Sequence, residues 1–175
     1  MRRYFATALA VAALAAVPAS AQAQASFGAT AAYHVDVEAL GVGAVVQVPL
    51  PNLHENVNLL GDFTYYFPGD QSFGSNSVSF SYWEINGNLT YDFALEGNDS
   101  LTPFALGGLV LARSSYDAET VVGNFDLGDS TDVGLNLGGG IKLAGDLQPI
   151  IGGKLELRDG SGFVIFGSIL FGGGG

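Results

Sequence analysis

Residues 82–93 read Tyr82-Trp83-Glu84-Ile85-Asn86-Gly87-Asn88-Leu89-Thr90-Tyr91-Asp92-Phe93. Alternate residues sort by chemistry. Trp83, Ile85, Gly87, Leu89, Tyr91 and Phe93 form an apolar row, and Tyr82, Glu84, Asn86, Asn88, Thr90 and Asp92 form a polar one. A helix, with its period of about 3.6 residues, would scatter both sets around its axis, whereas a strand puts them on opposite faces. The stretch therefore predicts a strand over about Val78–Phe93 with one apolar and one polar face.

The same alternation runs outward on both sides. Toward the N-terminus, about Val57–Phe67 sets Val57, Leu59, Phe63, Tyr65 and Phe67 against Asn58, Asp62 and Thr64. About Ala39–Val48 and about Phe27–Asp36 repeat the pattern, the latter with His34 and Asp36 on its polar row. Toward the C-terminus, about Leu101–Ala112 is apolar or Gly on both faces, so its sides stay unassigned. About Thr131–Leu143 sets Val133, Leu135, Leu137, Ile141 and Leu143 against Asp132, Asn136 and Lys142. About Leu147–Arg158 sets Ile151, Leu155 and Leu157 against Lys154, Glu156 and Arg158, and Ser161–Phe171 closes the series. That makes eight strand segments with turn residues between them. A Gly-, Ser- and Asn-rich loop from Pro68 to about Ser77 and an acidic loop over Arg113–Ser130 are the expected long connections.

Composition agrees with strands. The chain has 175 residues, enough for one domain, and its 26 Gly disfavour helices. With no Cys and only His34 and His54, disulfides and thiolate metal sites are excluded, and zinc or His-dependent chemistry has little to draw on. Residues 1–23 read as a secretion signal: Arg2 and Arg3, an apolar run from Tyr4 to Val17, Pro18, then small residues that place cleavage after Ala21 or Ala23. Removing it leaves 4 cations and 17 acids, a mature charge of 4 − 17 = −13. Such a chain repels nucleic-acid phosphates.

Alternation alone does not separate a membrane barrel from a water-soluble one. The apolar rows, however, end in aromatics: Phe27 and Tyr33, Phe63 and Phe67, Trp83 and Phe93, Phe163 and Phe171. Aromatic girdles mark the two interfaces of outer-membrane barrels. The polar rows carry Asp62, Glu84, Asp132, Lys142, Lys154, Glu156 and Arg158, expected as a salt-bridged network filling the lumen. A barrel of about eight strands is just wide enough for side chains to fill. A three-residue turn at 144–146 would set Leu143 opposite Leu147, Asn136 opposite Lys154 and Asp132 opposite Arg158.

On these features the chain resembles the small outer-membrane β-barrel family, of the OmpA/OmpX kind. The resemblance spans residues 24–171 and implies an all-β fold, an eight-stranded antiparallel transmembrane up-and-down β-barrel in the bacterial outer membrane. It also implies that Phe163, Ile165, Gly167, Ile169 and Phe171 resemble the C-terminal signal read by the barrel-assembly machinery. The glycine tail, residues 172–175, departs from the family, which usually stops on the aromatic.

The expected role is structural or surface-facing, with no cofactor, no metal and no catalytic residue. Outer-membrane lipids, and the assembly machinery during biogenesis, are the expected partners of a monomer. The alternatives are a narrow channel for small hydrophobic solutes, a lipid-modifying barrel enzyme and a soluble periplasmic lipocalin-like binding barrel. An enzyme would need a Ser–His–acid group, and no serine motif accompanies His34 and Asp36. Asp126 and Asp129 could meet a hard cation but lack an EF-hand spacing, so they read as a solvated acidic loop.

Overall fold

The computed structural model describes residues 25–68, 71–73, 76–98, 100–120, 123–158 and 160–172, and in 71–80 and 116–127 the backbone alone. The signal segment and the end of the glycine tail lie outside the described residues. The strands are β1 (Ser26–His34), β2 (Ala39–Pro49), β3 (Val57–Phe67), β4 (Gln71–Phe73), β5 (Asn76–Asp92), β6 (Leu101–Thr120), β7 (Gly123–Leu143), β8 (Ile150–Leu157) and β9 (Gly162–Phe171). All pairings are antiparallel. β3 pairs with β5 and β9 pairs with β1, so eight strands close into an up-and-down barrel and β4 stands outside the ring. Closure removes the unpaired edges that an open sheet would leave.

The parity read from the sequence sets the two faces of the wall. Leu40, Val42, Phe63, Leu135, Leu137, Ile151, Ile165 and Phe171 point outward and are exposed. Thr64, Glu84, Asn86, Asn88, Thr90, Asn136, Lys154 and Glu156 point inward and are buried. β6, unassigned from its sequence, turns Phe104, Leu106, Val110 and Ala112 into the lumen and Leu109 out. Its sides follow from its neighbours, because Asn86↔Val110 and Ala112↔Asp132 fix which parity faces in.

Three expectations fail in informative ways. Arg113–Ser130 is not a loop: β6 and β7 run on through it, paired as far as Thr120↔Gly123, with a bulge between Tyr116 and Asp117. Pro68–Ser77 likewise contains β4, paired with the start of β5. Neither stretch carries the apolar–polar alternation by which a strand is recognised in a sequence. The connection between β7 and β8 spans 144–149 and not three residues. Leu143 N–H donates to Pro149 O at 2.8 Å and Gln148 N–H to Gly145 O at 3.1 Å. Pro149 has no N–H to offer the ladder, so β8 starts at Ile150. The register moves by two: Asn136 faces Glu156, and Lys154 faces Gly138.

The barrel is therefore asymmetric. β8 has 8 residues and pairs with β7 only over Leu135–Lys142, whereas β7 has 21. β3 reaches β5 only from Tyr82 onward. The outer parts of β5, β6 and β7, with β4, thus continue as one sheet past the rim set by β8 and β3. This is the loop end; the connections 50–56, 93–100 and 144–149 form the turn end.

Candidate functional site

The lumen holds the chemistry. Four strands send side chains to one buried cluster. β8 supplies Lys154 and Glu156, β5 supplies Tyr82 and Glu84, β3 supplies Tyr66, β1 supplies His34, and Arg158 follows β8 directly. Lys154 Nζ lies 2.9 Å from Glu156 Oε1 and 3.7 Å from Glu84 Oε2. Arg158 Nη2 lies 3.2 Å from Glu156 Oε2 and 3.6 Å from Glu84 Oε1. Two carboxylates and two cations thus form a closed ring of charge, with both Glu fully buried. Tyr66 OH donates to Glu84 Oε2 at 3.2 Å, and Tyr82 OH donates to Glu84 Oε1. Arg158 also donates to Tyr82 OH, and its Nη2 lies 3.0 Å from His34 Nε2. The Arg158 guanidinium stacks 5.4 Å from the centre of the Tyr82 ring.

An amide ladder extends this ring along the lumen. Lys154 Nζ donates to Asn86 Oδ1 at 2.7 Å, and Asn136 Nδ2 donates to Asn86 Oδ1 and Asn88 Oδ1, each at 2.9 Å. Asp62 Oδ1 accepts from Asn86 Nδ2 at 3.0 Å and Thr64 Oγ1 at 3.2 Å. Near the turn end stands a separate pair. Lys142 Nζ is 2.8 Å from Asp92 Oδ1 and also donates to Oδ2, which accepts from Asn58 Nδ2 at 3.0 Å.

Of the seven residues expected in the lumen, Glu84, Lys154, Glu156 and Arg158 meet in one ring, Asp62 joins it through Asn86, and Lys142 stands apart with Asp92. Asp132 is the correction. It sits half-buried at the rim, where Ser130 Oγ donates to it at 3.4 Å. The two-residue register shift brings Gly134, not Asp132, alongside Arg158: a Cβ on Gly134 would lie 2.7 Å from Arg158 Cβ. Tyr66, Tyr82 and Asn88 join the network beyond those seven, each with inward parity; closure of the ring is what reveals their partners.

The interior is also less polar than expected. Val45, Leu60, Phe104, Leu106, Ile150 and Leu170, with Phe166 packed against them, form an apolar layer between the charge ring and the turn end. Of the inner row of β9, Leu170 belongs to it and Phe166 packs against it, whereas Val164 joins a second cluster with Ala32, Tyr66, Tyr82 and Val110. Glycine makes the space: a Cβ on Gly152 would lie 2.6 Å from Phe166 Cζ, so the ring occupies what a side chain would fill.

His34, Glu84 and Glu156 offer ligand atoms within 4.8 Å of one another, the spacing of a metal centre. Their charge is already met by Lys154 and Arg158, so a dication entering there would displace or face two cations. The described neighbours of His34 include the Tyr66 and Tyr82 rings and the Arg158 guanidinium.

No protein-family model and no curated protein matches the sequence. Solved structures do. Ail, the attachment invasion locus protein of Yersinia pestis, matches in its complex with the heparin analogue sucrose octasulfate at 13% identity and TM-score 0.51, over 83% of this chain and 95% of that one. A second Ail structure matches at 13% identity and TM-score 0.49, over the same shares. Neisserial surface protein A matches at 14% identity and TM-score 0.48, over 83% of this chain and 90% of that one. At such identities the likeness is one of architecture: this chain has the closed eight-stranded antiparallel fold of the small outer-membrane barrels.

Proposed function

We propose that the protein is a monomeric barrel of the bacterial outer membrane with a structural or surface-interaction role and no enzymatic activity. The observation that carries this reading is the inverted wall. Large apolar side chains such as Leu40, Val133, Leu135 and Leu137 are 54–67% exposed, while Glu84 and Glu156 are 0% exposed inside. In water that arrangement would forfeit the hydrophobic stabilisation on which soluble barrels depend; in a bilayer the belt is solvated by acyl chains. The tests are fractionation and heat-modifiable gel mobility. Mature protein that remains folded and soluble without detergent would overturn the reading.

Two further features support the role. The charge ring and the apolar layer block the lumen, which suits an anchor better than a channel; planar-bilayer recordings should show no steady conductance. The paired outer parts of β5–β7 continue past the rim set by β8 and β3, a surface suited to contacting other molecules. On this reading the belt's partners are outer-membrane lipids, and Phe163, Ile165, Ile169 and Phe171, exposed along β9 with Gly167 between them, are the row offered to the assembly machinery. Replacing Phe171 by a polar residue should then lower the folded yield in cells while leaving refolding in detergent intact.

A further inference from the structure

The turn-end mouth holds a cavity of about 310 Å³, within the size range of small-molecule sites. Gln47, Thr102, Lys142 and Gln148 are its polar lining, and Ile150 and Leu170 its floor. Both floor residues belong to the apolar layer, so the cavity is a dead end. Gln47 Oε1 is buried and has no hydrogen-bond partner among the described residues. A buried acceptor left unpaired costs free energy that an incoming donor would recover. Lys142 adds no net charge, because its ammonium is ion-paired with Asp92, donating to Oδ2 and 2.8 Å from Oδ1. The site thus combines an apolar floor, one acceptor in want of a donor and a neutralised cation.

We infer that this mouth binds a small neutral amphiphile: an apolar body resting on Ile150 and Leu170, with a hydroxyl or amide N–H donating to Gln47 Oε1. An anion is disfavoured because Asp92 already occupies Lys142. A pure hydrocarbon would leave the acceptor unpaired.

Phenol and anisole differ chiefly in that donor, so they probe the inference directly. The refolded mature protein in micelles is titrated with each, and the methyl resonances of Ile150 and Leu170 are followed by NMR. Saturable shifts are expected for both, with phenol bound about three- to tenfold more tightly, the worth of one hydrogen bond. Gln47→Met keeps the length of the side chain and removes the acceptor, and should erase the preference. Benzoate should bind more weakly than phenol. Equal affinities, a preference that survives Gln47→Met, benzoate binding more tightly than phenol, or shifts confined to the outward-facing Ile151 and Ile169 would each overturn the assignment. The last pattern would mean simple partitioning into the detergent.

Discussion

Two ion-paired regions of the barrel use the same side-chain chemistry in opposite surroundings. In the lumen, Glu84 and Glu156 are fully buried between Lys154 and Arg158. On the sheet beyond the rim, Arg113 pairs with Asp129, at side-chain exposures of 39% and 45%. Outside, either partner can trade the other for water. Inside, burial hinders that exchange, and each charge depends on the others staying in place. The lesson is that ion pairs in this protein rank by depth and not by distance.

The largest effect should come from the ring. Glu156→Ala strands Lys154 and Arg158 beside a single carboxylate and should cost about 3–5 kcal/mol of unfolding free energy, read from urea titration in lipid vesicles. A loss no greater than that at Arg113 would break the ranking by depth. Next comes the outer wall. Leu137→Arg places a cation on the belt and should cost about 2–4 kcal/mol if that position lies near the bilayer midplane. A negligible cost in the same assay would tell against lipid there.

The turn-end pair is intermediate in exposure, with Lys142 at 13% and Asp92 at 22%. Lys142→Met should cost about 1.5–3 kcal/mol, the range for a hydrogen bond to a charged group. The smallest change belongs to the exposed pair. Arg113→Ala should alter stability by less than about 1 kcal/mol, and added salt should shrink even that. A strong loss at Arg113 would sharpen the comparison by revealing that the outer sheet is coupled to the barrel.

Much of this was legible in the chain. The rows of residues 82–93 assign Glu84, Asn86, Asn88 and Asp92 to the lumen without any coordinates, because strand geometry allows a side chain only two directions. Lys154, Glu156 and Arg158 follow by the same rule. Which of them touch was not legible. The turn at 144–149 moved β8 by two residues, which kept every side chain on its own face and yet changed its partners, sending Arg158 to Glu84 and Tyr82 and leaving Asp132 at the rim. A slip of one residue would have reversed the faces and put Lys154 and Glu156 outside the lumen.

Periodicity by itself therefore determined that the chain is all-β and which side chains share a face, and the aromatic ends of the apolar rows pointed to the outward one. These are local properties, written in the order of residues along each strand. Only the tertiary structure decided the register of β8, the sidedness of β6, the reach of β5–β7 beyond the belt, and the meeting of His34, Tyr66, Glu84 and Arg158 from four parts of the chain. The physical reason is that alternation has a period of two and carries no information about distance along the partner strand. That distance is set by turns, by Pro149 and by closure of the ring.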